Sequence, residues 1–294
     1  MNHTIENERI RVTVSTKGAE LQSLSDKQSG IEYIWNGDPK FWSKRSPVLF
    51  PIVGTLKDNT YFFSHKSYKL PRHGFARDKE FSLVESTESS LLFSIKSDES
   101  TLAVYPFHFE FLIQYQINKV ELSVTYIVKN PTSETIFFSV GGHPAFNVPM
   151  FEGDEYSDYQ LVFETKESAG RWLITDEGLI GQTPTPLLND SDTIALSKDL
   201  FQKDAIVLKN LKSDSVKLIS TKNNRGINFN FAAFPYLGIW AAKNADFVCI
   251  EPWCGIADSV NSNQTFVNKE GINQLCGDCF WERKWCVSII DADQ

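Results

Sequence analysis

Cysteine is scarce in this sequence, and its five cysteines lie in the last fifth of the chain, at positions 249, 254, 276, 279 and 286. An odd number of cysteines in one region does not resemble a disulfide framework, so we expect ordinary reduced thiols. Cys276 and Cys279 form the motif CGDC. A zinc site would need a second pair of ligands, and a thioredoxin-like site would need a βαβ context. Neither accompanies the motif.

Long apolar runs and basic runs are also missing. No stretch approaches the roughly 18 consecutive apolar residues that a membrane helix needs, and the N-terminal MNHTIENERIRVTV does not have the pattern of a secretory signal peptide. The net charge of −8 argues against binding to nucleic acid or to an anionic membrane surface. We therefore expect a cytoplasmic protein, a monomer or weak homodimer, with no nucleic-acid or membrane partner.

Helical periodicity and the common catalytic motifs are scarce as well. Only ALSKDLFQKD (195–204) predicts a turn or two of helix, with Ser197 as its cap. The sequence has no P-loop, no GxGxxG after a strand, no HExxH pair and no serine-nucleophile motif. Acid–base chemistry by histidines and carboxylates is the chemistry that this set of residues favours.

Aromatic residues, by contrast, are abundant: 22 Phe, nine Tyr and seven Trp. Such residues favour strands. Apolar side chains alternate along 107–117 and again along 120–128, and Asn118-Lys119 between them predicts a tight hairpin turn. Similar short segments, including one at 31–35, recur without intervening helices. The pattern predicts an all-β antiparallel sandwich or barrel, formed as a single domain across residues 1–294.

Two of the five histidines have an unusual backbone setting. His73 lies in LPRHGFARD, between an arginine and a glycine. His143 lies in GGHPAFN, where Pro144 favours an extended backbone at the histidine and the two glycines allow another group to approach. Each is a candidate for chemistry near neutral pH, and a hydrogen-bonded structural histidine is the alternative for both.

Three charged residues stand out at the ends of predicted strands. Glu251 in FVCIEPWCGIAD follows apolar residues and lies next to Trp253, a setting that raises a carboxyl pKa and suits a general base; an exposed strand-end carboxylate is the alternative. Arg45 heads the apolar run SPVLFPIVG and offers several donors for hydroxyls. Asp204 opens the strand DAIVLKN, where it is either a ligand contact or a turn aspartate.

Four segments, RSPVLFPIVG, PRHGFARD, GGHPAFNVP and FVCIEPWCGIAD, occur in this order along the chain. Together they resemble the aldose 1-epimerase (galactose mutarotase) superfamily, in particular its LacX-like bacterial branch, over nearly the whole chain. The resemblance implies a galactose-mutarotase-like supersandwich, a large, mostly antiparallel two-layer β-sandwich. It implies a small-molecule sugar substrate, no cofactor and no metal. One departure is LCGDC near the C-terminus, where related sequences tend toward LxPGE.

The resemblance also implies roles for individual residues. Glu251 matches the general base, His143 matches the general acid, and His73 matches a histidine that assists at the ring oxygen. The implied reaction interconverts the α and β anomers of a hexose by opening and closing its ring. Expected substrate contacts come from Arg45, Asp204, Asn147, Trp253 and Arg77.

Two alternatives stay open. Arg72 and Arg77 flank His73 and suit an anionic group, which makes a hexose 6-phosphate an alternative substrate. A non-catalytic carbohydrate-binding or regulatory protein with the same fold is the other alternative. The retained acid–base residues argue against it, because a binding protein has no need of a glutamate opposite an imidazole.

Overall fold

The computed structural model describes residues 1–291, and β-strands are its main secondary structure. Eight strands form in the first third of the chain: β1 (Asn2–Glu6), β2 (Ile10–Ser15), β3 (Leu21–Asp26), β4 (Val48–Leu49), β5 (Thr60–Phe63), β6 (Lys66–Lys69), β7 (Ser82–Ser86) and β8 (Ser90–Lys96). Eight more follow: β9 (Glu110–Asn118), β10 (Glu121–Lys129), β11 (Ile136–Phe138), β12 (Val140–Gly142), β13 (Ala145–Asn147), β14 (Tyr159–Glu167), β15 (Gly170–Arg171) and β16 (Thr185–Pro186).

The remaining strands and the short helices complete the list of elements. The strands are β17 (Ser191–Ala195), β18 (Ile206–Lys209), β19 (Ser215–Ser220), β20 (Gly226–Asn230), β21 (Tyr236–Trp240), β22 (Phe247–Cys254), β23 (Asn273–Leu275) and β24 (Phe280–Ile290). The helices are one α-helical turn, α1 (Glu99–Leu102), and 3₁₀ turns at Lys57–Asn59, Ala76–Asp78, Tyr156–Asp158, Lys198–Phe201 and Phe266–Asn268. None of the described helices has the length and apolarity needed to cross a membrane.

Two large antiparallel sheets organise the chain. One has nine strands in the order β17-β14-β19-β20-β24-β10-β9-β8-β7. The other has six strands, with β18-β21-β22-β12-β4 in order and β13 also paired with β22. A three-stranded sheet (β1-β2-β3) and three two-stranded pairs (β5-β6, β11-β23 and β15-β16) are added to these. The architecture confirms the all-β, mostly antiparallel fold that the sequence predicts.

The two large sheets pack face to face through aromatic residues. The ring of Phe146 on β13 lies 5.9 Å from that of Phe229 on β20. Trp285 on β24 donates a hydrogen bond of 3.0 Å to the hydroxyl of Tyr126 on β10. A Cβ atom at Gly142 would lie 2.8 Å from that hydroxyl, so the strand β12 approaches the nine-stranded sheet as closely as only a glycine allows.

Most of the local predictions are confirmed, with small shifts. Alternate residues of 107–117 and 120–128 are buried as expected. The hairpin turn consists of Lys119-Val120, one residue later than predicted, because Asn118 still pairs with Glu121. Segment 31–35 makes isolated bridges rather than a strand. The predicted helix is the 3₁₀ turn Lys198–Phe201, and the side chain of Ser197 does not cap it.

The expectation of five reduced thiols is wrong for one pair. Cys276 and Cys279 are joined by a disulfide in the connection between β23 and β24. The expectation considered a long-range disulfide framework and not a bond between cysteines three residues apart. A turn brings the Cα atoms of this pair to 5.6 Å, which is well within bridging distance. Within the described residues Cys249, Cys254 and Cys286 are free and buried.

Strand β22 is buried along its whole length, and its two faces serve different purposes. Val248 and Ile250 belong to the main core between the large sheets. Cys249 points to the other side, where it belongs to a second apolar cluster with Trp35. Glu251 and Trp253, two and four residues further on, share the face of Cys249. This alternation directs one carboxyl group away from the core.

Two glycines make room for the Trp253 indole on this face. A Cβ atom at Gly141 would lie 2.6 Å from Trp253 Cδ1, and one at Gly238 would lie 2.4 Å from Trp253 Cζ2. Real Cβ atoms do not approach ring carbons so closely, so a side chain at either position would displace the indole.

Replacing Gly238 by alanine should therefore destabilise the protein. We expect a loss of about 1–3 kcal/mol, the usual cost of overpacking, measured by urea denaturation. Gly181→Ala is the control, because a Cβ there meets its nearest atom at an ordinary 3.4 Å. Equal stability of the two variants would contradict this packing.

Candidate active site

A cavity of about 490 Å³ opens on the outer face of the six-stranded sheet. Its volume lies within the range of about 300–1,000 Å³ that is typical of small-molecule sites. Three tryptophans, Trp42, Trp240 and Trp253, contribute apolar lining. The polar side chains of the lining are those of Arg72, His73, Arg77, His143, Asp204 and Glu251. Residues from distant segments of the sequence thus meet in one place.

Glu251 and His143 contact each other directly in this cavity. Glu251 lies within β22, opposite Gly238 of β21, and not at the end of the strand as the sequence analysis expected. His143 lies in the short connection between β12 and β13. Its Nε2 is 3.2 Å from Glu251 Oε2, and the exposed fractions of the two side chains are 10% and 2%.

Burial governs the protonation of this pair. Desolvation raises the pKa of Glu251 well above its usual value; Arg72 opposes this effect and Asp204 adds to it. Desolvation, together with the nearby Arg72 and Arg77, lowers the pKa of His143 to about 3, although a hydrogen bond to its own backbone acts in the opposite direction. Both shifts disfavour charge. Burial therefore favours a neutral imidazole beside a protonated carboxyl group.

Aromatic rings hold the His143 imidazole in place. Trp42 stacks on it with ring centroids 4.9 Å apart, and Trp240 meets it edge-on at 5.7 Å. Its Nδ1 atom is buried and has no hydrogen-bond partner among residues 1–291. Packing fixes this ring with its Nε2 atom beside Glu251.

His73 is held by the backbone of Gly54. The amide of His73 donates to the Gly54 carbonyl at 2.8 Å, and the Gly54 amide donates to His73 Nδ1 at 3.1 Å. His73 has a φ of +69°, a left-handed conformation that the sequence pattern did not reveal. Desolvation, followed by the nearby His143, Arg72 and Arg77, lowers the pKa of His73 well below its usual value. His73 is therefore neutral.

The hydrogen bond from Gly54 sets the tautomer of His73. Arg72 Nε lies 3.3 Å from His73 Nε2. A neutral imidazole accepts a hydrogen bond at only one nitrogen, so it cannot accept from both Gly54 and Arg72. The shorter, backbone-fixed contact makes Nδ1 the acceptor and leaves the ring hydrogen on Nε2. His73 can thus donate one hydrogen bond, with Arg72 as a movable neighbour.

The arginines and Asp204 form the polar rim of the cavity. Arg77 donates to the Arg72 carbonyl at 2.9 Å, which ties the two residues together, and partial burial lowers the pKa of Arg77. Asp204 has a φ of +64°, and one of its carboxylate oxygens accepts from the Ala205 amide at 2.7 Å. The turn aspartate and the ligand contact, which the sequence presents as alternatives, are both compatible with this position.

Two of the expected substrate contacts lie outside the cavity lining. Arg45 donates through Nη1 to the Gln22 carbonyl at 2.6 Å. Asn147 donates through Nδ2 to the carbonyls of Glu32 and Ile34, which fastens segment 31–35 to β13. Both side chains are engaged in joining chain segments, so the structure does not bring them to the other candidates.

Sequence reasoning missed some residues that the cavity does contain. Trp42 stands only three residues before Arg45, and the charge of Arg45 is the stronger signal in that segment. Trp240 ends β21 and had no distinguishing signal. Arg72 was noted as a neighbour of His73 and not among the expected substrate contacts. Trp42 lies in the irregular segment before β4, so a search restricted to strand ends does not find it.

The comparisons with known proteins agree on one family. A family model described as aldose 1-epimerase matches residues 1–288, and the chain belongs to this family. The chain is 35% identical over 284 residues to the chromosomal LacX protein of Lactococcus lactis subsp. lactis, a match that covers 94% of this chain and 95% of the relative. The plasmid-encoded LacX protein of that organism gives the same identity and coverage.

Solved structures show the same fold. A galactose mutarotase related enzyme from Lactobacillus acidophilus has 35% identity and a TM-score of 0.94, covering 99% of this chain and 98% of its own. A galactose mutarotase-like protein from Lactobacillus casei has 29% identity and a TM-score of 0.92, with coverage of 99% and 100%. The chain therefore has the galactose-mutarotase-like supersandwich that the motifs imply.

Replacing His73 by asparagine tests its neutral state. Asparagine tolerates the positive φ and offers an oxygen to the Gly54 amide. Folded His73 stays neutral, whereas the unfolded chain takes up a proton below a pH of about 6.5. The contribution of His73 to stability is thus complete above that pH and is lost as the pH falls.

Below a pH of about 6 the unfolding free energy of the wild type should therefore fall more steeply than that of His73→Asn, by up to about 1.4 kcal/mol per pH unit. Urea denaturation at several pH values between about 7 and 5 measures both slopes. Parallel slopes would mean that His73 is already protonated in the folded protein.

Proposed function

We propose that this protein is an aldose 1-epimerase that interconverts the α and β anomers of a hexose. The observation that carries the proposal is the buried His143–Glu251 pair at 3.2 Å in a cavity of sugar size. Membership of the aldose 1-epimerase family supports it. The two solved structures named above are described as related to or like galactose mutarotase, which is consistent with a free hexose as the substrate.

The reaction requires two proton transfers at neighbouring oxygens. Opening the ring breaks the bond from C1 to the ring oxygen; the C1 hydroxyl loses a proton and becomes a carbonyl, and the ring oxygen gains a proton. Both oxygens are bonded to C1, so the two side chains that transfer these protons must lie close together. Rotation about C1–C2 followed by the reverse transfers closes the ring on its other face. No electrons are gained or lost.

The proton of the pair supplies this chemistry. In the free protein, burial places it on Glu251. A sugar hydroxyl that donates a hydrogen bond to Glu251 stabilises its carboxylate form, which Arg72 also favours. The proton of Glu251 then moves across the 3.2 Å contact to His143. Glu251 then takes the proton of the C1 hydroxyl while His143 gives one to the ring oxygen. The pair holds one proton before and after ring opening.

The remaining lining residues are suited to hold the sugar. The Nε2 hydrogen of His73 is a donor for an oxygen near the ring, and Asp204 is an acceptor for a hydroxyl. The Trp253 indole lies beside the Glu251 carboxyl group and lowers its pKa against the effect of burial, which supports the carboxylate form that takes the sugar proton. The Trp42 and Trp240 rings cover apolar faces of a pyranose.

Glu251→Gln tests the catalytic role. Glutamine has the same shape but cannot take the proton, so we expect kcat to fall by about 10²–10⁴-fold while the dissociation constant for the sugar changes little. NMR exchange spectroscopy on aldoses measures the rate, and calorimetry measures binding. Exposed Glu85→Gln on strand β7 is the matched control.

Two results would contradict the proposal. Glu251→Gln with wild-type turnover would remove the role of the pair. Wild-type protein that does not accelerate anomerisation over buffer, with a broad panel of free and phosphorylated aldoses, would leave the non-catalytic sugar-binding alternative.

A hexose 6-phosphate is the second candidate substrate, and one observation favours it. Arg72 and Arg77 both line the cavity, and the carboxyl group of Asp204 offsets part of their charge. Burial favours the neutral forms of Glu251 and of both histidines, so these three residues add no charge to the balance. The lining therefore has more cationic than anionic groups. An arginine is well suited to bind a phosphate through charge-assisted hydrogen bonds.

Alanine at Arg72 or Arg77 separates the two substrates. For a phosphorylated hexose we expect KM to rise by about 10–100-fold, the effect of a lost charged hydrogen bond, with little change for the free sugar. Arg11→Ala is the control, because Arg11 of β2 is exposed and pairs with Glu6 of β1. Equal effects on both substrates would rule out a phosphate-holding role.

A further inference from the structure

A cysteine that the proposed mechanism does not use lies beside the acid–base pair. Cys249 and Glu251 are two residues apart on β22 and share its outer face. One ligand atom from each of His143, Cys249 and Glu251 lies within 4.8 Å of the other two. The exposed fractions of the three residues are 8%, 0% and 2%. A nitrogen, a sulfur and an oxygen donor therefore meet in a site shielded from solvent.

This set of donors matches the ligands of a thiophilic divalent cation. Imidazole, thiolate and carboxylate all bind Zn²⁺, whereas Mg²⁺ and Ca²⁺ prefer oxygen alone. Ligand atoms around a tetrahedral zinc lie roughly 3.4–3.6 Å apart, given bonds of about 2.0–2.3 Å. The His143–Glu251 contact is already 3.2 Å. From a distance of at most 4.8 Å the thiol needs to approach by about 1.2–1.4 Å, which rotation about χ1 of Cys249 provides.

We propose that His143, Cys249 and Glu251 form a binding site for a thiophilic divalent cation such as Zn²⁺. The cavity leaves the fourth coordination position to a water molecule. Binding releases the thiol proton and the proton shared by the pair to solvent. The bound ion occupies the lone pairs of both proton-transfer groups, so it inhibits anomerisation; this consequence rests on the function proposed above, whereas the binding site itself does not.

The charges around the site limit its strength. Arg72 and Arg77 line the cavity and repel a cation. The thiolate and the carboxylate together balance the two charges of the ion, and His143 adds a neutral donor. Because the two arginines weaken the site, we expect reversible inhibition rather than a resident metal.

Cobalt is the spectroscopic probe for this site, used with the full chain and without thiol reductant so that the Cys276–Cys279 disulfide stays intact. Co²⁺ should produce a thiolate-to-cobalt charge-transfer band and the visible bands of a tetrahedral ion, and Zn²⁺ should displace both. Cys249→Ser and Cys249→Ala should lose the charge-transfer band. Cys254→Ser is the matched control, because Cys254 is a free buried thiol of the same strand that packs in the main core.

Glu251→Gln gives an independent binding test in case the cysteine variants do not fold. It removes a different ligand and should weaken Co²⁺ binding at least tenfold. Absence of the charge-transfer band in wild-type protein, or an unchanged band in the Cys249 variants, would overturn the site.

The anomerisation assay tests the consequence. Zn²⁺ should inhibit the wild type and Cys254→Ser reversibly, with activity restored by EDTA, and Cys249→Ser should need at least tenfold more Zn²⁺. Equal inhibition of both cysteine variants would overturn the inhibitory role. A Cys249-dependent cobalt band in a protein without anomerase activity would support the site while refuting the proposed function, so the two failures are distinguishable.

Discussion

The removal of Glu251 and His143 from water is the constraint on which the rest of the structure depends. In water a carboxyl group and an imidazole would form an ion pair near neutral pH. Burial opposes charge on both groups, so one proton is left between two atoms that lie 3.2 Å apart. A buried polar pair is stable only when its members satisfy each other. The same interaction makes the proton available for transfer in either direction.

The fold creates this environment by placing a fully buried strand between two layers. Strand β22 sends apolar residues into the main core and Glu251 to the opposite face. The glycines next to His143 serve the protein rather than a ligand: Gly141 makes room for the Trp253 indole, and Gly142 lets β12 approach the nine-stranded sheet. The site is thus rigid because the strands that carry it are held by close packing.

The sequence predicted the sheets well, because period-two alternation reports directly which side chains are buried. It also located His143 and Glu251, since proline and aromatic neighbours set these residues apart. It did not separate Arg45 and Asn147, which tie chain segments together, from residues that face the cavity; both kinds are polar and lie at strand ends. The left-handed backbone of His73 depends on a contact with a residue 19 positions away, which no local pattern encodes. The compartment and the oligomeric state stay predictions.

A crystal structure with an aldose in the cavity tests the central claim most directly. The account predicts that the anomeric carbon lies at the His143–Glu251 pair, with the C1 hydroxyl and the ring oxygen within about 3.2 Å of the two groups, one oxygen to each. A sugar bound with its reducing end away from this pair, or bound outside the cavity, would contradict it.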